Sequence, residues 1–485
     1  VELRLLFSSD EHGWLQPVKD KRAGVLRGGV HAAAATMAAE GFAVGKPGWL
    51  LLSAGDMWTG PYETTVLEGA PMAAAMRELG YGAAAIGNHD FDFGQEVLAS
   101  RRTESGFPFL GANLVERATG RPPPWAQPYV VLDVQQDDGS AARVGVIGLA
   151  CVDSPVTADV RHMAGIEFRP YDHALEQWLP LLQAERPDVI VAIVHDAIAR
   201  IEPLVPLLRQ HRVAAVAAGH EHRAGIVIDD NGTADADDDV VICNAGPYLR
   251  SLCRLDLSYA AGRLRSHAAK NIEVKAPLES PTPHFSAALA GIVDEAEASA
   301  TRVGGEVLVE STRRLDRGRD GALGQFVVDA WLENLPYAQV AVTNAGGLRQ
   351  DIDAGLLRLR DVVSALPFNN YLLVVDMTGA ELREVLANPE SVVGGVTYVW
   401  HEEPGGARVV TSVSGKDGQR IADDAKLKVI INDFMYRGGD HYRFADREPE
   451  ETAVDWREPV YRSLRAMKAR GAKLEVVAEP RGRRE

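Results

Sequence analysis

Ala83-Ala84-Ala85-Ile86-Gly87-Asn88-His89-Asp90-Phe91-Asp92-Phe93-Gly94 runs from a short apolar stretch straight into a knot of polar side chains. An apolar run that stops at residues able to bind a cation or move a proton is how an open α/β sheet builds a site at its strand ends. The same grammar recurs. Leu3–Ser8 is followed by Ser9-Asp10-Glu11-His12-Gly13, Trp49–Ser53 by Gly55-Asp56, Val189–Val194 by His195-Asp196, and Val213–Ala217 by Gly219-His220-Glu221-His222. Together with Val144–Leu149 and Val240–Asn244 these runs are short, apolar and continuous, as strands covered on both faces are. Gly28–Ala39, Ala70–Leu79 and His173–Ala184 read as helices between them. The pattern predicts a layered α/β domain.

The chain has 485 residues, enough for two or three domains, and its composition is that of a globular protein: 46% apolar and 25% charged. The net charge of −17 disfavours nonspecific contact with nucleic-acid polymers or anionic membranes. It leaves room for a small anionic substrate held by metals and a few arginines. No apolar run reaches the length of a membrane span. Cys151, Cys243 and Cys253 lie in or beside apolar segments without CxxC spacing, and read as buried free thiols, one disulfide remaining open. The start at Val1-Glu2-Leu3 fits a removed leader, hence a periplasmic or secreted protein, with a cytoplasmic one as the alternative.

Character changes near Pro277. Leu278-Glu279-Ser280-Pro281-Thr282-Pro283 reads as a linker, and Ala287–Thr301 as a connecting helix. The expected division is a catalytic domain over 1–276, linker and helix over 277–304, a second domain over 305–475 and a tail over 476–485. The second domain carries a helix over Leu323–Leu335 and strands over Val340–Val342, Leu372–Val375 and Lys428–Ile431. The Arg481–Arg484 tail reads as a disordered end, and Asp229–Asp239 as a solvated hairpin tip.

Station by station, the residue types point to cation chemistry. Asp10 and His12, two apart, can grip one ion, and His220 and His222 repeat that spacing. The carboxylate of Asp56 can give one oxygen to each of two ions. The Asn88 amide oxygen suits a hard or borderline cation. His89 beside it can face the substrate, with Asp92 orienting its ring. Asp196 and Glu221 read as solvated loop charges outside the site. Such an array is hardware for a two-metal hydrolysis of phosphate esters.

In this order and spacing the stations resemble the calcineurin-like metallophosphoesterases, and within them the two-domain 5′-nucleotidase family. Asn88–Gly94 is similar to that family's Asn-His-Glu-Phe-Asp-Tyr-Gly signature, with Asp90 in place of Glu. Asn344-Ala345-Gly346-Gly347-Leu348-Arg349, Leu366-Pro367-Phe368-Asn369-Asn370 and Asn432-Asp433-Phe434 followed by Gly438-Gly439-Asp440 resemble its second-domain loops. Arg319, five residues before Gly324, aligns with an arginine of the family. Gln325 and Asp320-Gly321 depart from the usual residues there.

The resemblance implies an N-terminal α/β/β/α sandwich plus a smaller α/β substrate-binding domain. It implies two divalent ions, Zn²⁺ or Mn²⁺, with Co²⁺ or Fe²⁺ also suited. Asp10, His12, Asp56 and His222 would hold the first ion, and Asp56, Asn88, His195 and His220 the second. His89 and Asp92 would be catalytic. Arg319 and Arg349 would clamp phosphate, Phe368 and Phe434 sandwich a base, Asp440 take the ribose, and Asn344 read the base or sugar. The expected activity is hydrolysis of a nucleoside 5′-monophosphate. The alternatives are a 2′,3′-cyclic or 3′-nucleotide hydrolase, a UDP-sugar hydrolase, a sulfur-oxidation-branch hydrolase, or a non-enzymatic nucleotide-binding protein.

Overall fold

Along the N-terminal strands, successive side chains enter different cores. The computed structural model describes residues 1–20, 23–260, 262–277 and 286–485. In it Leu3, Leu5 and Phe7 enter one apolar cluster and Leu6 the cluster on the opposite face. Val189, Val191 and Ile193 join the same inner cluster, while Ile190, Ala192 and Val194 face a third. That period of two, apolar on both sides, is what makes these runs continuous in sequence.

The chain divides into two compact units. The first comprises Val1–Thr59 and Glu63–Ala298. Its main strands are β1 (Glu2–Ser8), β2 (Trp49–Ser53), β3 (Tyr81–Ala85), β4 (Phe109–Leu110), β5 (Tyr129–Gln135), β6 (Ala141–Leu149), β7 (Val189–Val194), β8 (Val213–Ala218), β9 (Gly225–Asp229), β10 (Val240–Asn244), β11 (Ser251–Ala260) and β12 (Arg263–Glu273). They form two six-stranded sheets, in the orders β12-β11-β1-β2-β3-β4 and β9-β10-β8-β7-β6-β5. The shared inner core packs the sheets together. Helices Val30–Ala39 and Ala70–Leu79 cover the outside of the first sheet, and Tyr171–Ala184 the outside of the second. The result is the expected helix, sheet, sheet, helix layering.

Within the first sheet β1, β2 and β3 are parallel, and within the second β6, β7, β8 and β10 are parallel. Parallel strands end on one edge. The residues that follow β1, β2, β3, β7 and β8 are the polar stations of the sequence, so topology alone delivers them to the strand ends. The acidic loop after β9 is a hairpin tip, as expected, closed by Arg263 on Asp235 and Asp237.

The cysteines correct the sequence reading. Cys243 in β10 and Cys253 in β11 form a disulfide, Cα–Cα 6.5 Å, that ties one sheet to the other; Cys151 is free and buried. The next residue, Asn244, donates to the Gly219 carbonyl at 3.2 Å, so the staple sits beside a station loop. Replacing both cysteines by alanine is expected to cost about 2–4 kcal/mol, read as a lowered midpoint in urea unfolding with and without reductant. Reductant should lower the wild-type midpoint and leave the double variant unchanged.

The second unit comprises Gly60–Tyr62 and Ser299–Glu485. Its strands include β13 (Val340–Asn344), β14 (Tyr371–Thr378), β15 (Ser391–Gly394), β16 (Val396–Glu402), β17 (Arg408–Gly415), β18 (Lys426–Asn432), β19 (Glu450–Asp455) and β20 (Gly482–Arg484). A five-stranded sheet runs β15-β13-β18-β14-β19, and β17-β16-β20 forms a smaller one. Helix Ala322–Asn334 buries Phe326, Val327 and Trp331 in a core shared with Val460 and Leu464 of Glu458–Ala469. The tail is not a disordered end: Gly482–Arg484 adds to β16 as a parallel strand. A Cβ on Gly482 would lie 2.5 Å from Tyr398 Cζ, so the close approach requires glycine. The linker expected at Leu278–Pro283 falls outside the described residues.

Candidate metal centre and substrate loops

Two overlapping sets of donor atoms form at the strand ends of the first unit. Asp10, His12, Asp56 and His222 offer ligand atoms all within 4.8 Å of one another; Asp56, His195 and His220 do the same. His12 Nε2 stands 3.0 Å from His222 Nε2 and 3.6 Å from Asp56 Oδ2. His222 Nε2 is 3.4 Å from Asp10 Oδ1. In the second set His195 Nε2 is 3.2 Å from Asp56 Oδ2. The Asn88 amide oxygen is 3.2 Å from His195 Nε2 and 3.0 Å from His220 Nδ1. All seven residues expected as ligands are thus gathered, with Asp56 common to both sets.

Surrounding backbone fixes which nitrogen points inward. His12 Nδ1 donates to the Thr59 carbonyl at 2.8 Å, and His195 Nδ1 to the Ala54 carbonyl at 2.7 Å. Since a carbonyl only accepts, each imidazole carries a proton there and turns its Nε2 toward Asp56, where it can bind a cation once that nitrogen is deprotonated. Asn88 Nδ2 donates to the Thr157 carbonyl at 3.3 Å, which turns its oxygen to the histidines. Donor atoms gathered around one space fit a cation. The buried Asp10 Oδ2, which has no hydrogen-bond partner among the described residues, fits one as well.

Backbone strain marks the same residues. Asp10 (φ 51°), His12 (45°), Asp56 (61°), His220 (70°) and His222 (56°) all take the left-handed conformation, five of the seven. Such backbone is uncommon outside glycine and costs ~1–3 kcal/mol per residue, and it concentrates at functional sites. Gly87 is required for a different reason: a Cβ there would fall 2.1 Å from Asp56 Oδ1.

His89 stands beside the donor sets, its ring centroid 5.5 Å from that of His12. Its Nδ1 faces Asp92 Oδ2 at 3.0 Å, and its backbone N–H donates to Asp56 Oδ1 at 2.8 Å.

Three side chains carry more than the sequence reading assigned them. Asp90, fully buried, accepts from Gly87 N (2.7 Å), Met57 N (2.8 Å) and Asp56 N (3.1 Å), and so braces the Asp56 loop against the Asn88 loop. Glu11, also buried, accepts from Ser8 and Ser53 at the ends of β1 and β2. Asp196 is not a solvated loop charge. It is buried, accepts from Tyr171 Oη at 2.7 Å and lies with Cys151 within reach of His220. Glu221 is exposed, as expected. A run of carboxylates in one sequence does not announce which of them will be buried; the serines around Glu11 were the only local signal.

Burial and mutual charge dominate the electrostatics. Burial pushes Asp10 up to about 6, and Glu11 and Asp90 up to about 8. His195 is raised to about 10: burial opposes its charge, but Asp56 outweighs burial. Asp56 goes the other way; burial raises it, yet His195, His89 and His12 hold it well below the usual range. Burial and His195 lower His220 to about 4. Groups raised on folding contribute stability that is lost as pH climbs through the raised value. His220 loses its contribution only as pH falls below 6.5, and Asp56 only as pH falls below 3.8. Of these shifted groups only the raised ones change the balance between pH 6.5 and 8, and they make the metal-free protein lose stability across that window. Cations require the deprotonated ligands. The rise in Tm on adding Mn²⁺ or Zn²⁺ should therefore be larger at pH 8 than at pH 6.5; an equal rise at both would show that these groups stay outside the linkage.

In the second unit the expected substrate residues fall into three neighbourhoods. Asn344 Nδ2 donates to Asp440 Oδ2 at 2.7 Å, and Asn432 Nδ2 holds the Asn344 oxygen at 3.0 Å. Asp440 is left-handed (φ 50°), as is His441 (63°). Arg349 lies over the Phe368 ring, 5.8 Å from its centroid. Phe368 and Phe434 are both only half-buried. Arg319, just before the helix at Ala322, pairs with Asp320 at 2.8 Å and stands 5.9 Å from the Trp400 ring.

Comparison with known proteins follows this division. Residues 298–447 match the family model of the 5′-nucleotidase C-terminal domain. The chain is 25% identical over 498 residues to a 5′-nucleotidase of Vibrio cholerae, covering 91% of this chain and 86% of that one. It is 26% identical over 514 residues to the protein UshA of Escherichia coli, covering 92% and 88%. The crystal structure of a 5′-nucleotidase precursor from Thermus thermophilus superposes with a TM-score of 0.82 at 23% identity, covering 100% and 99%. With the layered fold and the paired donor sets, these likenesses make the chain a phosphoric monoester hydrolase similar to the 5′-nucleotidases along most of its length, with a 5′-nucleotidase C-terminal domain over residues 298–447.

Proposed function

We propose that the protein hydrolyses nucleoside 5′-monophosphates to nucleoside and phosphate. The observation that carries this reading is the pair of donor sets sharing Asp56. Asp10, His12, Asp56 and His222 would hold one divalent ion, and Asp56, Asn88, His195 and His220 the other. When bound, the two ions supply a deprotonated water near neutral pH and offset charge on the phosphoryl oxygens. Mixed nitrogen and oxygen donors suit Zn²⁺ or Mn²⁺, and also Co²⁺ or Fe²⁺.

The protein's own residues do the rest. Asp92 holds the His89 ring and supports a proton on Nε2, which His89 gives to a phosphoryl oxygen or to the departing 5′-oxygen. Arg319 and Arg349 take phosphate oxygens, for which a planar guanidinium is suited. Phe368 and Phe434 stack the base, Asp440 accepts from the ribose hydroxyls, and Asn344 steadies Asp440 or reads the sugar. An extracytoplasmic location goes with this reading, because the Cys243–Cys253 disulfide favours an oxidising compartment. Among the described residues no helix is long and apolar enough to cross a membrane.

The test is phosphate release from a panel of nucleotides with Mn²⁺ and Zn²⁺ supplied separately. Release from AMP or another 5′-monophosphate in preference to 3′- and 2′,3′-cyclic nucleotides is expected. Tight nucleotide binding with no phosphate released under any metal sinks the proposal. Stacking is tested separately. Phe434→Ala should raise KM for AMP about 10-fold, from the ~1–3 kcal/mol of one lost stack, and leave KM for p-nitrophenyl phosphate near the wild-type value. An equal rise for both substrates removes Phe434 from the base site.

A further inference from the structure

Three guanidinium groups converge on one indole in the second unit. Arg408 lies 3.9 Å from the Trp400 ring centroid, Arg484 5.4 Å and Arg319 5.9 Å. Two have counter-ions: Arg319 pairs with Asp320 at 2.8 Å, and Arg484 with Glu402 at 2.9 Å. Arg408 has no ion pair among the described residues. Its Nη1 is buried without an acceptor, and so is Nε1 of Trp400. Stacking on Trp400 explains where Arg408 lies, but it does not explain two hidden donors with nothing to donate to. Burial and the charge of Arg319 press Arg408 below its ordinary value, so the cation is held where a cation is disfavoured.

The tail strand completes the cluster. β20 pairs with β16 in register Val399↔Arg483 and Trp400↔Arg484. Glu485 N donates to the Trp400 carbonyl at 2.9 Å, and Gly482 lets the strand lie against Tyr398. Arg408 enters from the other side, on β17. Two strands distant in sequence thus bring their arginines to one indole beside Arg319.

We propose that Arg408, Trp400 and Arg484 form a second oxyanion site beside Arg319, one that takes the additional phosphoryl group of a pyrophosphoryl compound. Unpaired guanidinium and indole N–H groups are donors without acceptors, and a phosphoryl group is an acceptor without donors. The proposal rests on the nucleotidase reading insofar as Arg319 is assigned to the first phosphate. It extends that reading with three residues the reading does not use.

The probes are inorganic pyrophosphate and inorganic phosphate, titrated calorimetrically into the whole, Mn²⁺-loaded chain. Wild type is compared with Arg408→Gln and Arg484→Gln, with AMP turnover measured on the same samples. Arg408→Gln should weaken pyrophosphate about 10-fold, the value of one charge-assisted contact, and weaken phosphate by less than about 2-fold. Arg484→Gln, on an exposed side chain, should act in the same direction more weakly. Because the metal centre is common to all variants, its own affinity for pyrophosphate cancels in the ratio. Arg408→Lys keeps the charge and discards the fork, and guards against a variant that merely unfolds: intermediate pyrophosphate affinity at an unchanged Tm supports the site. Unchanged pyrophosphate affinity in Arg408→Gln, or equal weakening of both anions, overturns it. If AMP is not hydrolysed but the selective loss appears, the nucleotidase reading fails and this site stands. If AMP is hydrolysed and pyrophosphate ignores Arg408, the reverse holds.

Discussion

His89→Ala should lower kcat for AMP by ~10²–10⁴-fold, the usual contribution of a positioned acid or base, while two metal ions per chain stay bound. The two halves of this expectation have separate structural grounds. His89 touches Asp56 through its backbone N–H, 2.8 Å from Oδ1, and alanine keeps that bond. The ring, by contrast, is committed to Asp92 through Nδ1 at 3.0 Å. On the proposed reading, removing it takes away the proton carrier without removing a donor from either cation set. The leaving group refines the test. If His89 protonates the departing oxygen, the defect shrinks for p-nitrophenyl phosphate, whose leaving group needs little help. If His89 stabilises a phosphoryl oxygen instead, both substrates lose equally. Asp92→Asn should fall between wild type and His89→Ala. Loss of metal from His89→Ala, measured by elemental analysis, would mean that His89 belongs with the ligands and not with the chemistry.

What could be read from the sequence, and what could not, follows from burial on both faces. Strands β2, β7, β8 and β10, and β1 from Leu5 to Phe7, are apolar up to their last residue because each face meets a core, and such runs stand out. β11 alternates buried with half-buried polar positions, and β12 faces solvent along most of its length, so neither announced itself. The site followed the same rule. Asp10, Asp56, His195 and His220 were legible because each stands within three residues of the end of such a strand. The brace formed by Asp90 was not, since hydrogen bonds to backbone N–H groups leave no trace in residue type. The disulfide joins β10 to β11 across the sandwich, and two cysteines in apolar runs look the same whether paired or free. The tail strand was missed for a similar reason: Gly482–Arg484 is polar, and its partner β16 lies far upstream in a segment the sequence left unassigned.

Asp90→Ala should cost the protein about 3–5 kcal/mol, since each of the backbone donors it leaves buried and unpaired carries ~1–3 kcal/mol. The donors are Gly87, Met57 and Asp56, at 2.7, 2.8 and 3.1 Å. At roughly 2–4 °C per kcal/mol for a unit of this size, Tm falls by about 10 °C. Metal affinity falls with it, by ~10–100-fold, as for other residues that orient ligands without touching the ion. The reason is geometric. Asp56 holds a left-handed backbone (φ 61°) that ordinary loops relax from, and Asp90 accepts from its N–H and from that of the next residue. Without Asp90 those two N–H groups lose the acceptor that opposes relaxation, and the shared carboxylate of both donor sets drifts. Asp90→Asn separates the two effects of bonding and charge: one oxygen remains to accept, but the amide group sets its own N–H against backbone N–H, so Tm should lie between the other two. In the metal-free protein Asp90, raised to about 8, contributes stability that is lost as pH rises toward 8. The gap between wild type and Asp90→Ala should therefore narrow from pH 6.5 to pH 8 without metal. A variant that keeps its Tm and both metals yet loses turnover would move Asp90 from brace to participant in the chemistry.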